Sequence, residues 1–146
     1  MAEERVASSE VNLVLLNSAL TQLMRRIRAV DERQGVGRAR LAALAVLRFG
    51  GACSASELAE REMVSRVTMH HILTGLERDG LIRRSPDPND GRRQHVLLTA
   101  RGRATIDRAH RARIAYLQEL AGAIEPEQLA VACEVLDALR NAASRA

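Results

Sequence analysis

The sequence contains no lysine and no tryptophan, and Phe49 and Tyr116 are its only phenylalanine and tyrosine. A core without large rings must be packed from Leu, Val, Ile and Ala, which suits helix-on-helix contact. Cysteine is limited to Cys53 and Cys133, and neither belongs to a CxxC pair. Neither a disulfide framework nor a zinc site is therefore implied, and no metal or cofactor is expected. No apolar run approaches the ~20 residues of a membrane-spanning helix, and no signal-peptide pattern opens the chain. The expectation is a cytoplasmic protein without a membrane partner. Also missing are a nucleophile–base pair, a phosphate-cradling glycine loop and a metal-spaced cluster, so the chain does not read as an enzyme.

What is present is arginine. All 22 basic residues are Arg, against 18 acids in 146 residues, for a net charge of +4. Nine of the arginines and only five of the acids fall between residues 61 and 103, whereas the two flanks nearly balance. A compositional habit explains Arg in place of Lys but not this clustering, and a basic patch is the electrostatic footprint of nucleic-acid binding.

The length is that of one domain. Leu13, Leu16, Leu20, Leu23, Met24 and Ile27 form one helical stripe over residues 10–30, and Leu41, Leu44, Ala45 and Leu47 a second over 38–49. Ser54 with Glu57 three residues on is a capping box for a short helix over 55–62, and Ser65 caps the next. Helix, tight turn and helix make a helix-turn-helix. In its second helix Met69, Ile72, Leu73 and Leu76 face the core; Val67, His71, Thr74 and Arg78 lie opposite, flanked by His70 and Gly75, with Arg66 and Thr68 near the start. Residues 81–84 and 95–98 read as strands joined by a turn-rich loop containing Pro86, Pro88, Asn89 and Gly91. Thr99 opens a further helix, and Glu125-Pro126-Glu127 the last, whose apolar stripe includes Cys133. The expected fold is mainly α with a small two- or three-stranded β wing. It is a winged helix-turn-helix whose flanking helices carry more apolar stripe than the core needs, which points to a homodimer.

The segment DPNDGRRQHVLLTARG, with Asp90, Arg92, Leu98, Thr99 and Gly102, resembles the MarR family of bacterial transcriptional regulators. Ser65, Thr68, Ile72, Leu76, Glu77, Gly80 and Leu81 fit the same pattern, as do Leu58-Ala59-Glu60. The resemblance implies a single MarR-type domain over 1–146, with a DNA-binding lobe at 38–103 and dimerisation helices at 5–34 and 104–146. It implies a homodimeric repressor, released from a palindromic operator on double-stranded DNA by a small anionic or phenolic effector. The ligand site itself is left unassigned. Two departures stand out: His71 occupies a position where the family often has Arg, and the first helix lacks the reactive cysteine of peroxide-sensing relatives.

The recognition-helix residues expected to meet DNA are Ser65, Arg66, Val67, Thr68, His70, His71, Thr74 and Arg78. Val67 suits a thymine methyl, Thr68 and the two histidines suit base edges or phosphates, and the amides at Ser65 and Arg66 suit a phosphate. In the wing, Arg92 and Arg93 are expected in the minor groove or on its phosphates, with Asp90 bracing Arg92. A lone exposed arginine is ordinarily a solvated charge, but these share one turn beside a helix-turn-helix. Adjacent helical histidines point about 100° apart, so a metal at His70-His71 is not expected. The alternative function is a winged-helix dimer that binds a protein partner or responds to redox change at Cys53.

Overall fold

The structure, a computed structural model, describes residues 2–87 and 94–145, with side chains from Glu10 onward. Its elements in chain order are α1 (Ala2–Glu32), α2 (Arg38–Gly50), α3 (Ala55–Arg61), α4 (Arg66–Arg78), β1 (Ile82–Pro86), β2 (Gln94–Leu98), α5 (Ala100–Ala121) and α6 (Pro126–Ala143). The mainly helical class and the winged helix-turn-helix order follow the sequence reading. The first helix begins earlier than its apolar stripe, at Ala2, and the strands run to Pro86 and from Gln94. Residues up to Arg113 form one compact unit and residues from Ile114 a second.

The core of the first unit lies among α2, α3, α4 and the wing. Leu44, Leu58, Leu73 and Leu76 are fully buried, with Leu41 and Met69 nearly so. No ring takes part, so the core is filled by interdigitated branched chains. β1 and β2 pair antiparallel, Ile82 opposite Leu98 and Arg84 opposite Val96. Val96 is buried, and its amide donates to the Cys53 carbonyl at 2.8 Å, so Cys53 adds a one-residue third strand to the wing.

The junction of α4, wing and α5 is tightly specified. Gly80 adopts φ 67°, the left-handed conformation that ends α4. The Leu81 amide reaches the Leu76 carbonyl and the Gly80 amide reaches that of Glu77, both at 2.9 Å, which is the Schellman pattern with its apolar pair Leu76 and Leu81 buried. Thr99 Oγ1 donates to the Gly80 carbonyl at 2.7 Å and accepts from the Gly102 amide at 3.0 Å. One hydroxyl thus ties the end of α4 to the start of α5. There α5 crosses the chain so closely that a Cβ at Gly102 would lie 1.9 Å from the Leu81 carbonyl oxygen.

The apolar stripes of the outer helices behave differently. Among the described apolar side chains of α1 only Ile27, near the C-terminal end that packs on α2, is buried, while Leu13 is 59% exposed. In the second unit α6 has no buried residue, and Leu129, Leu136 and Leu139 stand open.

Two glycine substitutions in this fold have opposite expected signs. Gly102→Ala forces backbone apart and should cost about 1–3 kcal/mol or more. Gly75→Ala, in mid-helix with Arg40 Nε at 4.0 Å from the new Cβ, should gain about 0.5–1 kcal/mol through helix propensity. Urea midpoints of the two variants check both.

Candidate nucleic-acid interface

Local chemistry fixes the two helices of the motif in turn. Ser54 caps α3: its Oγ accepts from the Glu57 amide at 3.2 Å and the Glu57 carboxylate accepts from the Ser54 amide at 2.7 Å. The Ser54 amide foremost, and the Ser54 hydroxyl after it, hold the Glu57 carboxyl below its usual range. After α3 the chain turns through Met63, whose φ of 52° is left-handed and whose side chain is 92% exposed. A non-glycine residue stores strain there, of order 1–3 kcal/mol. Ser65 then caps α4, accepting from the Thr68 amide at 3.0 Å and sharing a 2.8 Å hydroxyl–hydroxyl bond with Thr68.

α4 is sided as its periodicity requires. Met69, Leu73 and Leu76 are buried and Ile72 is half-buried, whereas Ser65, Arg66, Val67, Thr68, His70, His71, Thr74 and Arg78 are all exposed. The eight side chains therefore form one solvent-facing surface, and Gly75 sits instead beside Arg40 of α2. Not all of their polar groups are free. Ser65 and Thr68 engage each other, and Thr74 Oγ1 donates to the His70 carbonyl at 2.9 Å, which leaves its lone pairs to accept. The two imidazoles stand 6.2 Å apart and edge-on, and among the described residues no group of three His, Cys, Asp or Glu is placed to hold a metal.

The wing's base is braced from both sides. Arg84 Nε donates to Glu77 Oε2 at 3.2 Å, tying β1 to the last turn of α4. Asp87 and His95 meet at 3.1 Å across the hairpin's mouth. Asp90, Arg92 and Arg93 lie outside the described residues. Two further side chains that the sequence reading passed over are exposed: Arg83 on β1, opposite Leu97 in the ladder, and Met63 at the turn before α4. Strand alternation was the available signal for Arg83; nothing local marks Met63.

Cys53 is 3% exposed. Burial pushes its thiol pKa up, only partly offset by the Arg61 charge. The thiolate that reacts with oxidants is thereby disfavoured, which argues against redox sensing at Cys53.

A model of the MarR family matches residues 38–93, the segment from α2 to the wing. An uncharacterised HTH-type transcriptional regulator of Mycobacterium leprae is 31% identical over 128 residues, covering 88% of this chain and 85% of that protein. The structure of a MarR family protein from Bacillus stearothermophilus superposes with a TM-score of 0.83 at 22% identity, covering 99% of both chains. That of NadR in complex with 4-hydroxyphenylacetate gives 0.69 at 23% identity, covering 86% of this chain and 89% of the other.

In a Cys133→Ser background, Cys53 should react with a thiol reagent only on the timescale of unfolding, and much more slowly than a free thiol. Fast native labelling at neutral pH, followed by absorbance, would contradict the burial argument.

Proposed function

This chain belongs to the MarR family of DNA-binding transcriptional regulators, and we propose that it acts as a homodimeric repressor, released from a palindromic operator by a small molecule. The observation that carries the reading is the α4 surface: eight exposed side chains on a helix whose other face is locked in the core. In the complex, two such helices enter successive major grooves about 34 Å apart. Arg66, Val67, His70 and His71 read base edges. The first-turn amides of α4 receive a phosphate at the positive end of the helix dipole. Thr68 and Ser65 hold that turn in shape, a role their mutual hydrogen bond favours over base reading. Arg92 and Arg93 reach the minor groove from the wing tip, with Asp90 orienting Arg92, and Arg83 adds charge along the wing.

Homodimerisation is supported by the uncovered apolar residues of α1 and α6, which exceed the scattered exposure of an ordinary monomer surface. Release by an effector is supported by a cavity of about 280 Å³ between α1, α2 and α5. Asp31 and Arg113 meet there at 2.6 Å, yet Asp31 Oδ1 and Arg113 Nε are buried without partners among the described residues. Such unpaired groups are costly and suit a ligand with both donor and acceptor atoms. His110 and Phe49, their ring centroids 5.2 Å apart and tilted at 59°, stand at the same cavity. The phenolic acid bound by NadR is of the chemical class such a lining accepts.

Fluorescence anisotropy with an inverted repeat from the gene's own upstream region tests the reading. A nanomolar complex is expected, with log affinity falling steeply against log salt, and Arg92→Ala with Arg93→Ala should weaken it at every sequence. Equal affinity for scrambled duplex would sink the proposal. His71→Arg should tighten binding and steepen the salt slope by about one if His71 faces a phosphate.

A further inference from the structure

A second concavity, apart from the Asp31 cavity, lies between the N-terminal end of α2, the C-terminal end of α4 and the first half of α5. It is an open groove of about 640 Å³ lined by Arg40, Arg78, Arg101 and Arg108, with Asp79 as its one acid. Asp79 is already neutralised. Arg40 Nη2 lies 2.5 Å from one carboxylate oxygen and Arg78 Nε lies 3.5 Å from the other. The Arg40 hydrogen bond foremost holds the Asp79 carboxyl below its usual range. Among the described residues Arg101 and Arg108 have no ion-pair partner.

The spacing on α5 organises the surplus. Arg101, Ala104, Thr105 and Arg108 fall at i, i+3, i+4 and i+7, on one helical face. The two arginines stand two turns apart, about 10 Å along the axis. Small Ala104 and buried Thr105 between them leave the floor of the groove open. Guanidiniums gathered on a concave surface repel one another, and a bound anion turns that repulsion into attraction. Planar forks favour phosphate oxygens, which they can grip two at a time.

We propose that this groove binds a small anion of the oligophosphate class, and that its occupancy is transmitted to α4 through Arg40. Several guanidiniums match a ligand with several negative charges; a single carboxylate would engage one of them. The lining contains no aromatic ring, unlike the Asp31 cavity. Arg40 also donates to the Gly75 carbonyl at 3.2 Å, so it braces the last turn of α4 from α2. An anion that draws Arg40 toward the groove competes with Asp79 and Gly75 for it and loosens that brace. The groove lies at the opposite end of the 13-residue α4 from Ser65, about 20 Å from the turn that meets DNA. Apart from Arg78, which also belongs to the exposed face of α4, the groove is therefore placed for an effector rather than for the operator backbone.

The binding half of the inference stands alone; only the coupling rests on the DNA-binding reading. Calorimetric titration of the free protein with sodium tripolyphosphate, at fixed ionic strength, should show saturable binding. The Arg101→Ser/Arg108→Ser variant should weaken it about tenfold or more, with an unchanged melting curve because both side chains are exposed. Arg101→Lys/Arg108→Lys, which keeps charge without forks, should fall between. In anisotropy without the anion, the serine variant should bind operator within about twofold of wild type. Saturating tripolyphosphate should weaken the wild-type complex about fivefold or more and leave the variant's unchanged. Equal calorimetric binding by wild type and serine variant overturns the site. Loss of operator affinity by the variant without anion, with a shallower salt slope, also overturns it by giving these arginines to the DNA backbone. Saturable binding with no effect on operator affinity overturns the coupling through Arg40.

Discussion

Met69, Leu73 and Leu76 occupy one face of α4 and are at most 1% exposed, and their burial against α2 and α3 fixes the rotation of the helix about its own axis. Each contributes roughly 1.5–3 kcal/mol on leaving water. Turning α4 by one residue would expose all three, at a cost comparable to the whole stability of a small domain. Because the opposite face has no such constraint, it is free to carry Arg66, Val67, His70 and His71 without penalty. The face proposed to meet DNA is in this sense a by-product of core packing: what cannot be buried is held in a fixed orientation in solvent.

The ends of α4 are secured as firmly as its face. Ser65 and Thr68 satisfy the first turn. At the other end the Gly80 turn, Thr99 and the close approach of Gly102 to Leu81 weld helix, wing and α5 together. Arg84 to Glu77 and Arg40 to Asp79 add charged braces from β1 and from α2. These pairs are partly exposed, so their contribution is geometric more than energetic. They tie the orientation of α4 to that of α2 and β1, as the proposed release by a small molecule requires.

The outer helices follow another logic. A lone chain leaves Leu13, Leu129, Leu136 and Leu139 in water, although their spacing is as regular as that of the buried leucines. Periodicity reports that a face is apolar; it does not report whether the covering surface belongs to the same chain.

Much of the lobe was legible from local rules. The Ser54–Glu57 box, the Ser65 cap, the Gly80 stop and the 3.6-residue pattern of α4 are short-range chemistry, and each appears where its residues dictate. Family resemblance supplied the functional frame, resting on the wing motif and on the helix order. Thr74 and Thr68 turn their hydroxyls to partners within α4 and its cap. Two things depended on tertiary contact. Cys53, which the sequence left open to a redox role, is buried where its backbone pairs with Val96 of the wing, and burial disfavours its thiolate. Arg40, Arg78, Arg101 and Arg108, scattered over 69 positions, converge on one groove only because α2, α4 and α5 meet there. The sequence by itself determined which faces are apolar, where helices begin and end, and which family the chain resembles, since these depend on neighbours a few residues apart. The tertiary structure decided which charges meet and which polar groups go unpaired, since those depend on residues brought together from distant parts of the chain.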